Sequence, residues 1–237
     1  MAQVGIAIGI PFGGRLVHPK WALSFKTLDF PVNVTQTVIS VEGKDVTSAR
    51  NDIVQTAIEQ NCKYLFFLDD DVIIPRPTIQ ALGYLLDQSD DNTMVATGIY
   101  CTKTHVPAPV IYRDDNPGAF WDWQLNQVFE IDACGAGCMM INMKVFESLE
   151  APYFRTTEEY KDVNGEPILH AVSEDIYFCR SVRAKGFKIK AHGSIVCPHY
   201  DEIQKKFFTL PEDSLPVKRE KARQQAVVDA QNLVTKE

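Results

Sequence analysis

The chain lacks several things, and each absence removes a class of protein. It has no C-x-x-C pair. Its six cysteines, Cys62, Cys101, Cys134, Cys138, Cys179 and Cys197, are scattered, most of them in apolar segments, and the C-x-x-x-C spacing of Cys134 and Cys138 has no second pair to complete it. This leaves zinc poorly supported and points to buried free thiols in a reducing compartment. No stretch approaches the roughly 20 apolar residues of a membrane span. The first nine residues carry an apolar run without a basic leader, so they read as a first strand rather than a signal peptide. The expectation is a cytoplasmic protein. Positive charge is also scarce: 24 Lys and Arg stand against 31 Asp and Glu, a net charge of −7. That disfavours non-specific nucleic-acid binding. An acidic protein that takes an anionic ligand needs a metal or local arginines to do so. There is no internal repeat and no low-complexity segment.

What is present is a chain of 237 residues, 45% hydrophobic, long enough to bury a core without staples. Its most informative stretch is Tyr64-Leu65-Phe66-Phe67-Leu68-Asp69-Asp70-Asp71. The apolar run does not alternate with polar residues, so it reads as a strand buried on both faces. Three adjacent carboxylates at its end repel one another and call for a cation or hydrogen-bond donors. On an extended backbone residues i and i+2 share a side, so Asp69 and Asp71 can converge on one ion while Asp70 points away. The alternative is an acid-rich turn or helix start, with Pro75 and Pro77 just beyond.

Around this run the pattern alternates strand and helix. Strands are expected at residues 4–10, 32–41, 64–68, 94–100 and 187–196, and helices at 19–28, 45–61, 77–86 and 173–185. Residues 110–127 read as loop and short strands, and 129–143 hold a glycine-rich turn in an apolar context. The expected fold is α/β: a mostly parallel sheet flanked by helices, with a less regular second half. One domain is expected over residues 1–210. Residues 211–237 are expected to form a charged helical tail, either docked on the domain or a second subunit or left as a frayed solvated helix.

Four features far apart in sequence can meet at one sheet edge, where open α/β sheets bind ligands. The first is the acid triplet. The second is His199, which follows an apolar strand and is a candidate metal ligand; an imidazole shifts preference toward Mn²⁺ over Mg²⁺. The third is Ser173-Glu174-Asp175 at a helix start, where a carboxylate can serve as general base. The fourth is Cys134-Gly135-Ala136-Gly137-Cys138, whose glycines permit close backbone approach. Arg50-Asn51 adds a guanidinium suited to phosphates.

Ala49-Arg50-Asn51, the run 66–72 ending in the acids, the glycine turn running into Met139-Met140-Ile141, and Glu174-Asp175 leading through Arg180 to Lys185-Gly186-Phe187 resemble the GT-A-fold glycosyltransferases, close to the family 2 type. The similarity covers roughly residues 3–200. It implies transfer of a sugar from a nucleoside-diphosphate sugar to an acceptor hydroxyl. Asp69 and Asp71 match the D-x-D motif that holds Mn²⁺ or Mg²⁺, and His199 a late histidine that completes the metal site. Asp69 and Asp70, Pro11 and Phe12 at the end of the first strand, and Arg50 and Asn51 match nucleotide-binding positions. Gly135, Ala136 and Gly137 match the turn beneath donor sugar and acceptor. Asp175 matches the base of inverting members, with Glu174 beside it near the acceptor. Trp121 and Trp123, with Tyr112 and Phe120, read as a sugar-stacking platform, and residues 103–116 as a lid. No Q-x-x-R-W motif is present, which favours single transfers. The competing readings are a sugar nucleotidyltransferase, echoed in Pro11-Phe12-Gly13-Gly14-Arg15, and a non-catalytic carbohydrate-binding protein.

Overall fold

The structure is a computed structural model that describes residues 4–113, 118–163 and 166–234. In chain order the elements are β1 (Val4–Phe12), α1 (Pro19–Lys26), β2 (Gln36–Glu42), α2 (Val46–Glu59), β3 (Cys62–Leu68), α3 (Thr78–Gln88), β4 (Thr93–Tyr100) and β5 (Ile111–Tyr112). They continue with β6 (Val128–Ile131), β7 (Ala133–Cys134), β8 (Cys138–Asn142), a 3₁₀ turn (Met143–Glu147), β9 (Thr157–Val163), β10 (Glu166–Val172), α4 (Glu174–Ala184), β11 (Lys188–Cys197), β12 (His199–Asp201), β13 (Lys206–Phe208) and α5 (Leu215–Val234).

Seven strands form the central sheet in the order β2-β1-β3-β8-β4-β11-β6. β1, β2, β3, β4 and β11 share one direction, and β8 and β6 run against them. The sheet is therefore mostly parallel, as expected. The insertion of antiparallel β8 between β3 and β4 was not expected.

The unbroken apolar character of β3 has a direct cause. Leu65 and Phe67 pack with Ile53, Val54 and Ala57 of α2 and with Phe178 of α4 on one face. Tyr64, Phe66 and Leu68 pack with Trp21 of α1 and with Ile79, Leu82 and Leu86 of α3 on the other. Lys63, nearer the strand's start, is exposed. From Tyr64 to Leu68 both faces are covered, so no position there is left for a polar residue. Each such side chain contributes about 1.5–3 kcal/mol on burial.

β1, β3, β4 and β11 all end at one sheet edge, and antiparallel β8 begins there. The same edge receives the N-termini of α2 and α4, and the acid turn, the glycine turn and His199 lie along it. α2 begins at a sound cap: Asp45 accepts from Ser48 N at 3.0 Å.

The ribbon β9–β10 was missed in the sequence. It is exposed along most of β10, leads straight into α4, and is tied to it by Arg180 donating to Glu159 at 2.8 Å. The tail is helical, as expected. It touches the body near its start, where Arg219 pairs with Asp122 at 2.7 Å and donates to the Trp123 carbonyl at 3.3 Å. Among the described residues no helix is long and apolar enough to cross a membrane.

Candidate active site

The strand ends at Leu68, and the three acids lie on a turn closed by Val72 N donating to the Asp69 carbonyl at 3.2 Å. The alternation argued for Asp69 and Asp71 therefore does not operate, because it holds only on extended backbone. The side chains separate differently. Asp69 takes Arg50 Nη2 at 2.8 Å. Asp70 does not point away from Asp71: Arg15 bridges the two. Asp70 Oδ1 accepts from Arg15 Nε and Nη2 at 3.1 and 2.7 Å, and its Oδ2 accepts from Gly13 N at 2.9 Å.

Asp71 has the densest surroundings. Its Oδ2 accepts from Arg15 and Lys103, and its Oδ1 lies 3.2 Å from His199 Nε2. Burial alone would push this carboxyl up, but His199 and Lys103 outweigh it and hold Asp71 at about 2. His199 reaches this place through the backbone. Tyr200 N donates to the Asp71 carbonyl and Ile73 N to the Pro198 carbonyl, both at 2.8 Å. The ring is then fixed by Nδ1 donating to the Cys101 carbonyl at 2.8 Å. A carbonyl only accepts, so Nδ1 carries hydrogen and Nε2 is the atom available to a cation when the ring is neutral.

Among the described residues no three His, Cys, Asp or Glu side chains are gathered as a metal cluster. Asp71 and His199 meet; Asp69 is turned to Arg50. A carboxylate and an imidazole nitrogen nonetheless suit Mn²⁺ or Mg²⁺ when substrate oxygens and water complete the shell. The six cysteines are buried thiols.

Arg50 comes from the second turn of α2 and is 3% exposed. Its Nε lies 3.5 Å from Glu174 Oε1. The buried Nε and Nη1 atoms make no hydrogen bond. Desolvation works against its charge, yet Asp69, Glu174 and Asp175 more than restore it. Asp69 and Glu174 respond the other way: burial lifts both carboxyls above the usual range despite the pull of Arg50. Asp175, beside Glu174 in the first turn of α4, is half-buried, and its Oδ1 accepts from Ser173 Oγ and from Ile176 N at 2.8 Å. Its charge is felt at Asp69, Arg50 and Tyr100.

Asn51 does not face this cleft. Its amide donates to the carbonyls of Thr47 and Phe154 and accepts from Tyr153 N and Phe154 N, at 2.8–3.2 Å. One amide proton goes to Thr47 in its own helix, and the other, with both lone pairs, to the loop before β9. Pro11 and Phe12 do line a cleft of about 140 Å³, together with Gly13, Arg15, Lys44 and Asp70. A larger hollow of about 570 Å³ lies at the opposite end of β3, between Lys63, Asp87 and Lys144, and takes none of the residues expected in the site.

The glycine turn is buried. It lies beneath the acid turn rather than lining the cleft: Asp69 N donates to the Gly137 carbonyl at 3.1 Å, and Gly137 N to the Tyr100 hydroxyl at 3.2 Å. The reason for glycine is close approach. A Cβ at Gly135 would fall 2.0 Å from the Tyr100 hydroxyl, and one at Gly137 would fall 2.9 Å from Asp69 Oδ2. Gly135→Ala is expected to destabilise the fold by about 1–3 kcal/mol, read as a lower thermal midpoint.

The stacking platform does not form as expected. Trp123 is in the core, stacked on Phe129 with centroids 5.5 Å apart, and its indole N–H is bound to the Phe120 carbonyl. Trp121 is half-buried, as are Tyr112 and Phe120, and the latter two pack against the same core. Of the expected lid, residues 114–117 lie outside the described residues. Its start folds back as a loop, Thr102 N donating to the Ala108 carbonyl at 2.8 Å, and carries Lys103 to Asp71. Arg15 and Lys103 were not picked out as site residues in the sequence. The local signals were the Pro11-Phe12-Gly13-Gly14-Arg15 run, in which Gly14 turns at φ +73°, and the start of the expected lid at residue 103.

No protein-family model matches the chain, and no curated protein sequence does. Solved structures do resemble it. The protein A197 from STIV shares 19% identity over 89% of this chain and 96% of its own, with a TM-score of 0.59. GalNAc-T7, solved with UDP, GalNAc and Mn²⁺, shares 13% over 83% of this chain and 44% of its own, at 0.46. TarS 1-349 of S. aureus, solved with UDP-GlcNAc, shares 12% over 80% and 56%, at 0.44. The chain thus spans about half the length of the last two. At 19% identity the likeness to A197 speaks to the fold alone, a mixed α/β sheet flanked by helices.

Proposed function

We propose that this protein is a metal-dependent glycosyltransferase that moves a sugar from a nucleoside-diphosphate sugar to an acceptor hydroxyl, inverting and non-processive. The observation that carries the reading is the convergence at one sheet edge of three parts. These are the Pro11–Phe12 cleft, the acid turn with Asp71 against His199, and Asp175 on the first turn of α4.

In this reading the base stacks in the cleft between β1 and the acid turn, and the diphosphate lies over Asp69–Asp71. The acceptor hydroxyl approaches Asp175. As its oxygen bonds to the anomeric carbon, the bond from that carbon to the diphosphate breaks, and the hydroxyl proton passes to Asp175. Ser173 and the Ile176 amide hold Oδ1, which fixes the carboxylate and leaves Oδ2 for the hydroxyl. Arg50, between Asp69 and Glu174, keeps the acid turn and the base-bearing helix at a fixed separation. Asp71 and His199, with Asp69 nearby, would hold Mn²⁺ or Mg²⁺, whose chemistry there would be positive charge for the departing diphosphate.

The test is twofold. Thermal shift against a panel of nucleoside diphosphates, with and without Mn²⁺, is expected to show stabilisation by one base that requires the ion. Turnover of the matching nucleotide sugar should then release a nucleoside diphosphate. Release of pyrophosphate from a sugar phosphate and a nucleoside triphosphate would replace this reading with the nucleotidyltransferase one.

A further inference from the structure

Asp71, the carboxylate to which the reading above gives a cation, is already occupied by the chain's own cations. Its Oδ2 accepts from both Arg15 Nη2 and Lys103 Nζ, and its Oδ1 faces His199. A carboxylate oxygen offers two lone pairs, so Oδ2 has none left for an ion. Bringing a divalent ion beside Arg15 and Lys103 would also set like charges together at short range.

The two cations are held unequally. Arg15 has a second anchor, since Nε and Nη2 both reach Asp70 Oδ1 and Asp70 is in turn fixed by Gly13 N. It can therefore leave Asp71 while pivoting on Asp70. Lys103 is bonded to Asp71 and comes from a loop. Both remain within reach of solvent, with side chains 41% and 21% exposed against 8% for Asp71. Arg15 also lines the nucleotide cleft.

We propose that Arg15 and Lys103 are exchangeable counter-ions. They neutralise Asp71 in the ligand-free protein, and they move to the diphosphate of the incoming nucleotide. Asp71 is thereby released to a divalent ion only when the diphosphate is present. The transfer rests on the nucleotide-sugar reading above; the competition for Asp71 stands on the contacts alone. Ion and diphosphate then bind with positive coupling that is reciprocal, each tightening the other by the same factor. The arrangement keeps the acid turn from taking up a metal ion before there is a leaving group for it to serve.

The experiment compares the full chain with Arg15→Ala/Lys103→Ala. Mn²⁺ alone is titrated by the electron spin resonance of the free ion, and manganese pyrophosphate by calorimetry. The double variant is expected to bind Mn²⁺ alone about tenfold tighter or more, and manganese pyrophosphate about tenfold weaker or more. The charge-keeping Arg15→Lys/Lys103→Arg is expected to restore both values toward wild type. Unchanged Mn²⁺ affinity in the alanine variant overturns the proposal. Tighter Mn²⁺ with unchanged manganese pyrophosphate overturns the transfer, leaving the two side chains as fixed ion-pair partners. If no nucleoside diphosphate binds the wild type while the variant still gains on Mn²⁺, the glycosyltransferase reading fails and the competition at Asp71 does not.

Discussion

Asp175→Asn is expected to lower turnover by about two to four orders of magnitude, the usual worth of a positioned general base. Binding of the nucleoside diphosphate should stay close to wild type. The amide keeps the shape of the side chain and still accepts from the Ile176 N–H that now holds Oδ1 at 2.8 Å, so the helix start should survive. What it loses is the negative charge and the capacity to take a proton. Single-turnover kinetics with saturating donor isolate that step. If donor binding fell as far as the rate, Asp175 would be a binding residue and the base would have to be sought elsewhere. Glu174 is a poor substitute: it is buried, and it lies against Arg50.

Arg50→Met is expected to cost about 3–5 kcal/mol of folding stability near neutral pH, because removing one partner of a buried ionic group strands the others. Asp69 and Glu174 would both lose their nearest positive charge. The pH dependence fixes the sign. In the wild type burial already raises both carboxyls, against the pull of Arg50. The folded state thus holds these protons more tightly than the unfolded chain, so the linked stability is present at low pH and is lost as pH rises through the folded values. Without Arg50 the folded values climb further. The deficit of the variant should accordingly be largest near about pH 7 and shrink toward about pH 5 as the two acids take up protons. Urea unfolding at both values checks it. A deficit independent of pH would mean that Arg50 stabilises through its packing over the Phe67 ring, 5.6 Å away, rather than through charge.

The two effects separate what the sequence could and could not reveal. β3 was legible because a strand covered on both faces must be apolar at every position, and Tyr64–Leu68 is. The edge at which the acids, His199 and α4 gather followed from strand–helix alternation, since successive parallel strands deliver their ends to one side. β8 was not legible. Its apolar run suits a parallel or an antiparallel neighbour equally well, and its place beside β3 depends on pairing such as Leu68 with Cys138, far apart in the chain. The β9–β10 ribbon escaped because it buries little and shows no apolar run; the Asn164-Gly165 dipeptide was the signal that could have marked it.

Within the site, Arg50 was read as a charge partner for phosphates and in the fold lies between Asp69 and Glu174, whereas its neighbour Asn51 was assigned to the ligand although its amide is used entirely on the chain. Nothing in the local pattern distinguishes a helix residue that meets a ligand from one that meets a loop about 100 positions later. The same blindness applied to Arg15 and Lys103. Each is an ordinary loop cation until the fold brings both onto one carboxylate.

The burial of all six thiols makes the protein its own reporter of breathing motions. Burial pushes the Cys101 thiol up to about 12 and lifts Cys62 and Cys197 as well, while Cys134 is raised first by its hydrogen bond with Cys179 and then by burial. Alkylation then proceeds only through transient openings. Cys101 and Cys138 stand near the cleft, Cys62 at the far end of β3, and Cys179 inside α4. Mass spectrometry of alkylated peptides over time would rank the opening of these regions without a single engineered label. Slower modification near the cleft than at Cys62 after adding a nucleotide would locate where that ligand tightens the molecule.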